Sequence, residues 1–294
     1  MTDTAWPEHR LRVGPFAFLV RSPLQQVITE VADLYRDYPS LPMGEVVDYT
    51  VAVHFPTPLR RFYRPKLVLS CDVEVPEMAP QPVSHGLLAL EMGLNLQIAV
   101  GMHRLLLLHA GAVARGSEAL ILTGESGAGK STLAAILGHS GWRFLGDEFA
   151  LVDLSDAQLR PFPRPISLKN DSIALLEAIA PRERFGPRFD GTFKGSIRHL
   201  APPEEAIAAM DEPARPRLVV VPRFQSGAET LARPMTVSET FVRLTQSSTN
   251  YRRLGEQGFV TAWSVAEGAP GYEIFYGSSE AAIELVDQLW AIHG

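Results

Sequence analysis

The stretch ILTGESGAGKSTLAAIL, Ile121 to Leu137, constrains the fold more than any other part of this chain. An apolar run enters it and a run with helical spacing leaves it. Between them lie Gly124, Glu125, Ser126, Gly127, Ala128, Gly129, Lys130, Ser131 and Thr132, in which Gly124, Gly129, Lys130 and Ser131 fill every specified position of G-x-x-x-x-G-K-[ST]. Glycines let such a backbone curl until consecutive N–H groups point inward at the positive end of the following helix, which makes a nest for phosphate oxygens. The expectation is an α/β fold whose loop holds ATP, with Lys130 on the terminal phosphates and the Ser131 hydroxyl on Mg2+.

Holding a triphosphate does not decide between hydrolysis and transfer. The sequence carries no N-K-x-D guanine signature, since the letters of Leu168–Asp171 fall in the wrong order, and no LSGGQ transporter signature. A short helix and the run WRFL separate the loop from Gly146, Asp147 and Glu148. On a strand beside the loop strand, Asp147 and Glu148 would approach the terminal phosphate, one acid ordering magnesium and the other taking a proton from an attacking hydroxyl. Asp153 lies a strand length further on and is the weaker candidate. His109 closes the run LLLLH, and a strand next to the loop strand would bring its imidazole to the phosphate end; packing in an apolar strand accounts for such a histidine equally well.

The rest of the chain sets bounds. With 294 residues, 46% hydrophobic, 20% charged and a net charge of −6, it has the make-up of an ordinary globular enzyme and lacks the basic bias of a nucleic-acid binder. One cysteine, Cys71, allows neither an intrachain disulfide nor a cysteine-rich metal site. The opening MTDTAWPEHRLRVG has no apolar signal region. A cytoplasmic protein with no nucleic-acid or membrane partner is expected, and a homo-oligomer is compatible with all of this. Residues 1–86 read as a mostly antiparallel β layer with one helix, built from FAFLV, LQQVITEVADLY, VVDYTVAVHF and KLVLSCDVEV, and PEMAPQPVSHG reads as a linker. Residues 87–294 read as the catalytic domain. In it, LLALEMGLNLQIAVGMHRLLLLHAGAVA is a helix running into a buried strand, EALILT and RPRLVVVPRF are strands, and SSEAAIELVDQLWAIHG is a closing helix with Ala282, Ile283, Val286 and Leu289 on one face.

Together these pieces resemble the catalytic domain of HPr kinase/phosphorylase, whose fold is similar to the nucleotide core of phosphoenolpyruvate carboxykinase. In that family a strand-borne histidine, the phosphate loop and a pair of acids follow one another as they do in HAGAVARGSEALILTGESGAGKSTLAAILGHSGWRFLGDEFALVD. The phrases RPISLKND, GTFKGSIRHL and SSTNYRRLGEQGF look closer still to the HPr kinase-related kinase A group, over most of residues 87–294. The resemblance implies transfer of the γ-phosphoryl group of ATP to a hydroxyl, a serine of a protein or peptide. It makes Asp147 the catalytic base, with Glu148 where the family has a second aspartate, so that Ser131 and Glu148 would hold the metal. His109 stands at the family's active-site histidine. Lys194-Gly195 stands where a basic loop has arginine-glycine, and Lys194 would stabilise developing charge.

In its own terms, PRERFGPRFDGTFKGSIRH reads as a glycine-containing basic loop, with Arg182, Arg184, Arg188, Lys194 and Arg198 outnumbering Glu183 and Asp190, able to close over a phosphoryl group. Lys169 and Asn170 are candidates for holding substrate or the nucleotide rim. A small-molecule acceptor and an ATP-gated binding module without catalysis are the two rival readings.

Overall fold

The fold is that of a computed structural model, which describes residues 6–76, 78–125 and 127–293. It is mixed α/β, with four sheets. The first has the strand order Glu8–Val13, Phe16–Arg21, Tyr49–His54, Lys66–Cys71, Gln81–Pro82. Its one parallel pairing, Phe16–Arg21 with Tyr49–His54, is bridged by the helix Gln25–Leu34. Tyr49, Val51 and Val53 are buried while Thr50, Ala52 and His54 are not, so period-two alternation turns one face of this layer inward. The helix Gly86–Gly101 lies on that face, and Gly93 lets it approach Val51 and Leu69. Among the described residues the span Val83–Gly101 is the one helix long and apolar enough to cross a membrane, and 56% of it is buried within the molecule, as befits a core helix.

The largest sheet has six strands in the order Leu231–Met235, Gly271–Tyr276, Arg215–Phe224, Glu118–Leu122, Gly111–Arg115, Arg143–Gly146. Arg215–Phe224 runs parallel to both of its neighbours, and the remaining pairings are antiparallel. Alternation along Glu118–Leu122 sorts the two faces. Leu120 and Leu122 pack with Leu133, Leu137, Val286 and Leu289 of the helices Lys130–Gly138 and Ser279–Ile292. Ala119 and Ile121 pack with Leu244, Ala262 and Val265 on the other side. A strand buried on both faces is what an unbroken apolar run such as ALIL encodes.

Three expectations are corrected. The run LLLLHAGAVA is two strands in two sheets: Leu105–Leu108 joins Ala150–Asp153 and Leu159–Arg160, whereas Gly111–Arg115 joins the six-stranded sheet. The segment 181–199 is no glycine loop. It folds into a short 3-10 turn, Arg182–Arg184, and an antiparallel hairpin, Phe185–Thr192 with Gly195–Leu200, which Ile166–Lys169 extends to a three-stranded sheet. The proposed linker contributes the edge strand Gln81–Pro82 and a 3-10 turn, Val83–His85. One apolar core also joins Phe16, Phe18 and Val51 of the first sheet to Leu107, Phe149, Phe162 and Phe189 from the rest of the chain.

Candidate functional site

Strand register brings the candidate residues to one end of the large sheet. Gly111 pairs with Leu122, the last residue before the glycine-rich loop, and Ala112 pairs with Gly146. Leu108 pairs with Ala150 in the small sheet. The chain therefore steps from one sheet to the other twice at the same level, through His109-Ala110 and through Asp147-Glu148-Phe149. Both steps lie where Glu118–Leu122 gives way to the loop. The acids are not on the strand beside the loop strand, as the sequence suggested; Gly111–Arg115 intervenes, and the acids arrive one strand further out.

The loop itself ends in the helix Lys130–Gly138, with Gly129 at φ 93°, a left-handed conformation that disfavours any side chain. A Cβ at Gly129 would also lie 2.9 Å from the Tyr276 hydroxyl. Lys130 is only 6% exposed, and its Nζ donates to the carbonyl oxygens of Gly124 and Glu125, both at 2.8 Å. Burial lowers its pKa, opposed by the charges of Asp147 and Glu148. Gly127, Ala128, Ser131 and Thr132 are exposed to half-buried along the same turn. Ser126 lies outside the described residues.

Asp147 is 7% exposed, and neither carboxylate oxygen has a hydrogen-bond partner among the described residues. Burial, and then the charge of Glu148, push its pKa up to about 7; the Ser131 hydroxyl, close enough to ease the charge without the geometry of a formed bond, opposes this together with Lys169 and Lys130. Glu148 is half-buried, with its carboxylate 3.7 Å from Nδ1 of His109. The same nitrogen lies 3.2 Å from the Glu148 carbonyl oxygen, which suits Nδ1–H as the donor and leaves Nε2 with its lone pair. Burial lowers the pKa of His109 more than Glu148 raises it, so the imidazole is neutral at pH 7. The His109 backbone N–H donates to Ser247 at 2.8 Å and fixes this bend.

Lys194 is exposed at the hairpin tip with its ammonium 5.2 Å from the Phe193 ring. Asn170, held at φ 50°, ties that tip down: its amide donates to the Lys194 carbonyl and its oxygen accepts from Ser196 N–H. The tie requires Gly195, where a Cβ would lie 2.1 Å from the Asn170 oxygen. The basic surplus of the segment is mostly spent within the fold. Arg184 is buried against Asp37 and Glu204, Arg188 pairs with Asp190, and Arg198 pairs with Glu177. Lys169, at the end of its strand, is near enough for its charge to be felt at Asp147, Lys130 and His109. Asp153 takes no part, being paired with Arg160 at 3.0 Å and accepting from Ser155 in a turn.

Sequence reasoning missed a buried charge cluster next to the site. Arg164 is bonded to Glu91 and to Asn95, while the Tyr35 hydroxyl donates to Glu91 at 2.8 Å. Its signal was a lone acid, Glu91, inside the apolar helix LLALEMGLNL. Asn250 was missed as well: buried, it accepts from Leu107 N–H and donates to the Met102 and Leu105 carbonyls, holding the strand that leads to His109. A surface hollow of about 510 Å³, lined by Arg115, Glu118 and Arg215 among others, opens at the opposite end of the strands. Among the described residues no three His, Cys, Asp or Glu side chains converge to hold a metal by themselves. No family model matches this sequence, and no curated protein matches it.

Proposed function

We propose that this chain is a P-loop kinase of the HPr kinase type, which transfers the γ-phosphoryl group of ATP to a hydroxyl acceptor, a serine of a protein or peptide. The observation that carries the reading is Asp147: a buried carboxylate whose two oxygens have no hydrogen-bond partner among the described residues, beside the lysine and serine of a complete phosphate loop. Uncompensated burial of a carboxylate costs several kcal/mol and persists where a ligand supplies the missing partner. The loop has the matching need, since Lys130 is folded back on two loop carbonyls and is free to exchange them for phosphate oxygens.

The chain's residues then divide the work. The loop amides and Lys130 hold the β- and γ-phosphates. Asp147, with a pKa near the working pH, accepts the proton of the attacking hydroxyl. His109, neutral and bonded to the Glu148 backbone, fixes the direction of the acid pair. Ser131 and Glu148 would hold Mg2+, which neutralises charge on the phosphate oxygens when bound. Magnesium at a phosphate needs only one or two protein oxygens, because phosphate and water complete its octahedron, so this donor set fits. One observation favours the reverse division of the acids: the Ser131 hydroxyl eases the charge of Asp147, which pairs those two as metal ligands and leaves Glu148 as base. Lys194 contributes from a tethered hairpin tip. The test is incubation of the purified chain with γ-labelled ATP, magnesium and a cell extract. Label should enter a protein or peptide with the wild-type chain and not with Lys130→Ala. Label in a small molecule would move the acceptor class, and ATP binding with no labelled product would leave a binding module.

A further inference from the structure

We infer that Phe224, backed by Tyr276, is the face on which the base of the nucleotide stacks, and that it gives the phosphate loop its preference for a nucleoside triphosphate over bare polyphosphate; this rests on the phosphate-loop reading above. The strand Arg215–Phe224 lies parallel to the loop strand, with Val220 opposite Leu122. Its last four residues therefore overhang the point where the loop begins, by about 13 Å at the usual rise per residue. Side chains alternate along it. Val220 packs into the core beneath the helix Lys130–Gly138, so Phe224 projects on the same face as that helix. The contacts agree: Phe224 Cβ would be 3.8 Å from a Cβ at Gly129, the residue that starts the helix, and the Tyr276 hydroxyl would be 2.9 Å from it.

The two rings are 5.7 Å apart and inclined at 54°, yet they differ in exposure. Tyr276 is 4% exposed and Phe224 is 55% exposed. One side of Phe224 is thus supported and the other is open beside the loop. Arg223, on the opposite face of the strand, pairs with Glu273 at 3.0 Å and reaches the loop residue Glu125 at 3.9 Å, which fixes the strand end against the loop. Direction follows from the sheet order. Asp147 and Glu148 reach the loop from the flank of Gly111–Arg115, whereas Phe224 and Tyr276 stand on the other flank, across the loop strand. A triphosphate lying along the loop with its terminal phosphate toward Asp147 carries its nucleoside out toward Phe224. An aromatic face stacks on any base, so ATP and GTP bind alike and the discrimination is against ligands with no base.

Titration calorimetry on the full chain separates the parts, with Mg-ATP, Mg-GTP and magnesium tripolyphosphate as ligands. Wild type should bind both nucleotides roughly ten- to a hundredfold more tightly than tripolyphosphate, the usual worth of one stacked base. Phe224→Ala should bring ATP down to the level of tripolyphosphate and leave tripolyphosphate unchanged, and Phe224→Trp should restore the gap. Lys130→Ala should weaken all three ligands. Equal binding of ATP and tripolyphosphate by wild type, or equal loss of both in Phe224→Ala with an unchanged melting temperature, overturns the stacking face and leaves the phosphate loop standing. No binding of any ligand by wild type overturns both.

Discussion

Two buried charged sites lie close together in this molecule and differ in one respect. At Arg164, four polar side chains meet with their hydrogen bonds made: the guanidinium binds Glu91 and Asn95, and Tyr35 completes Glu91. Nearby, Asp147 is as deeply buried and has no partner at either oxygen among the described residues. A satisfied network is stable in itself and fixes the packing of the helix Gly86–Gly101 against the proline-rich segment that carries Arg164. An unsatisfied carboxylate raises the energy of the fold until a cation or proton arrives. On the proposed function, the contrast separates a charge that holds the structure from one that waits for a ligand.

Four perturbations test that contrast, beginning with the largest. Under the proposed function, Lys130→Ala removes the cation that would sit on the transferring phosphates and should lower phosphoryl transfer by about 10³-fold or more with the fold intact; circular dichroism and a labelled-ATP assay read the two quantities. Asp147→Asn should lower transfer by roughly 10²–10⁴-fold while ATP affinity stays within about tenfold. If Glu148→Gln proves the more damaging in the same assay, the base and the metal ligand exchange places. Arg164→Met should act in the opposite sense, destabilising the fold by about 3–5 kcal/mol in urea because Glu91 is left buried and unpaired. Transfer per folded molecule should change little, and a loss as large as that of Asp147→Asn would erase the distinction between the two sites.

The pH dependence sharpens it further. Folding raises the pKa of Asp147 from 3.8 to about 7, so this group's stabilising protonation is fully present below pH 4 and is lost as pH rises through 7. Asn does not titrate. The stability advantage of Asp147→Asn over wild type should therefore grow from about pH 4 and be about 1–3 kcal/mol wider at pH 8 than at pH 5, and magnesium with ATP should shrink it. Thermal melts at the two pH values measure this, and a gap independent of pH would mean that Asp147 is solvated or paired. Lys194→Ala should have the smallest effect, under about tenfold on transfer and none on ATP affinity, because its side chain is exposed at the hairpin tip.

The loop and its flanking elements were legible because their information is local. Glycines at positions of positive φ, a lysine opening a helix and an apolar strand before it all follow from neighbours in sequence. The strand in KLVLSCDVEV, found as Lys66–Cys71, and the apolar face of the closing helix with Ala282, Ile283, Val286 and Leu289, were legible for the same reason. The hairpin was misread as a loop because Gly186, Gly191 and Gly195 imitate flexibility. Its strands are stabilised by pairing with Ile166–Lys169, which no local window contains.

Which charges are spent and which remain available was decided by the tertiary structure alone. Arg184 and Arg188 look interchangeable in the sequence, yet one is buried against Asp37 and the other is an exposed pair with Asp190. The break of LLLLHAGAVA into two sheets, which puts His109 against Glu148, depends on which strands lie alongside: Ala150–Asp153 on one side of the bend and Glu118–Leu122 on the other. The physical reason is range. Backbone conformation answers to residues a few positions away, whereas the solvation and partners of a charge answer to whatever the fold brings within a few ångströms of it, and at Asp147 that is Lys130, Ser131 and Glu148, with neither carboxylate oxygen hydrogen-bonded among the described residues.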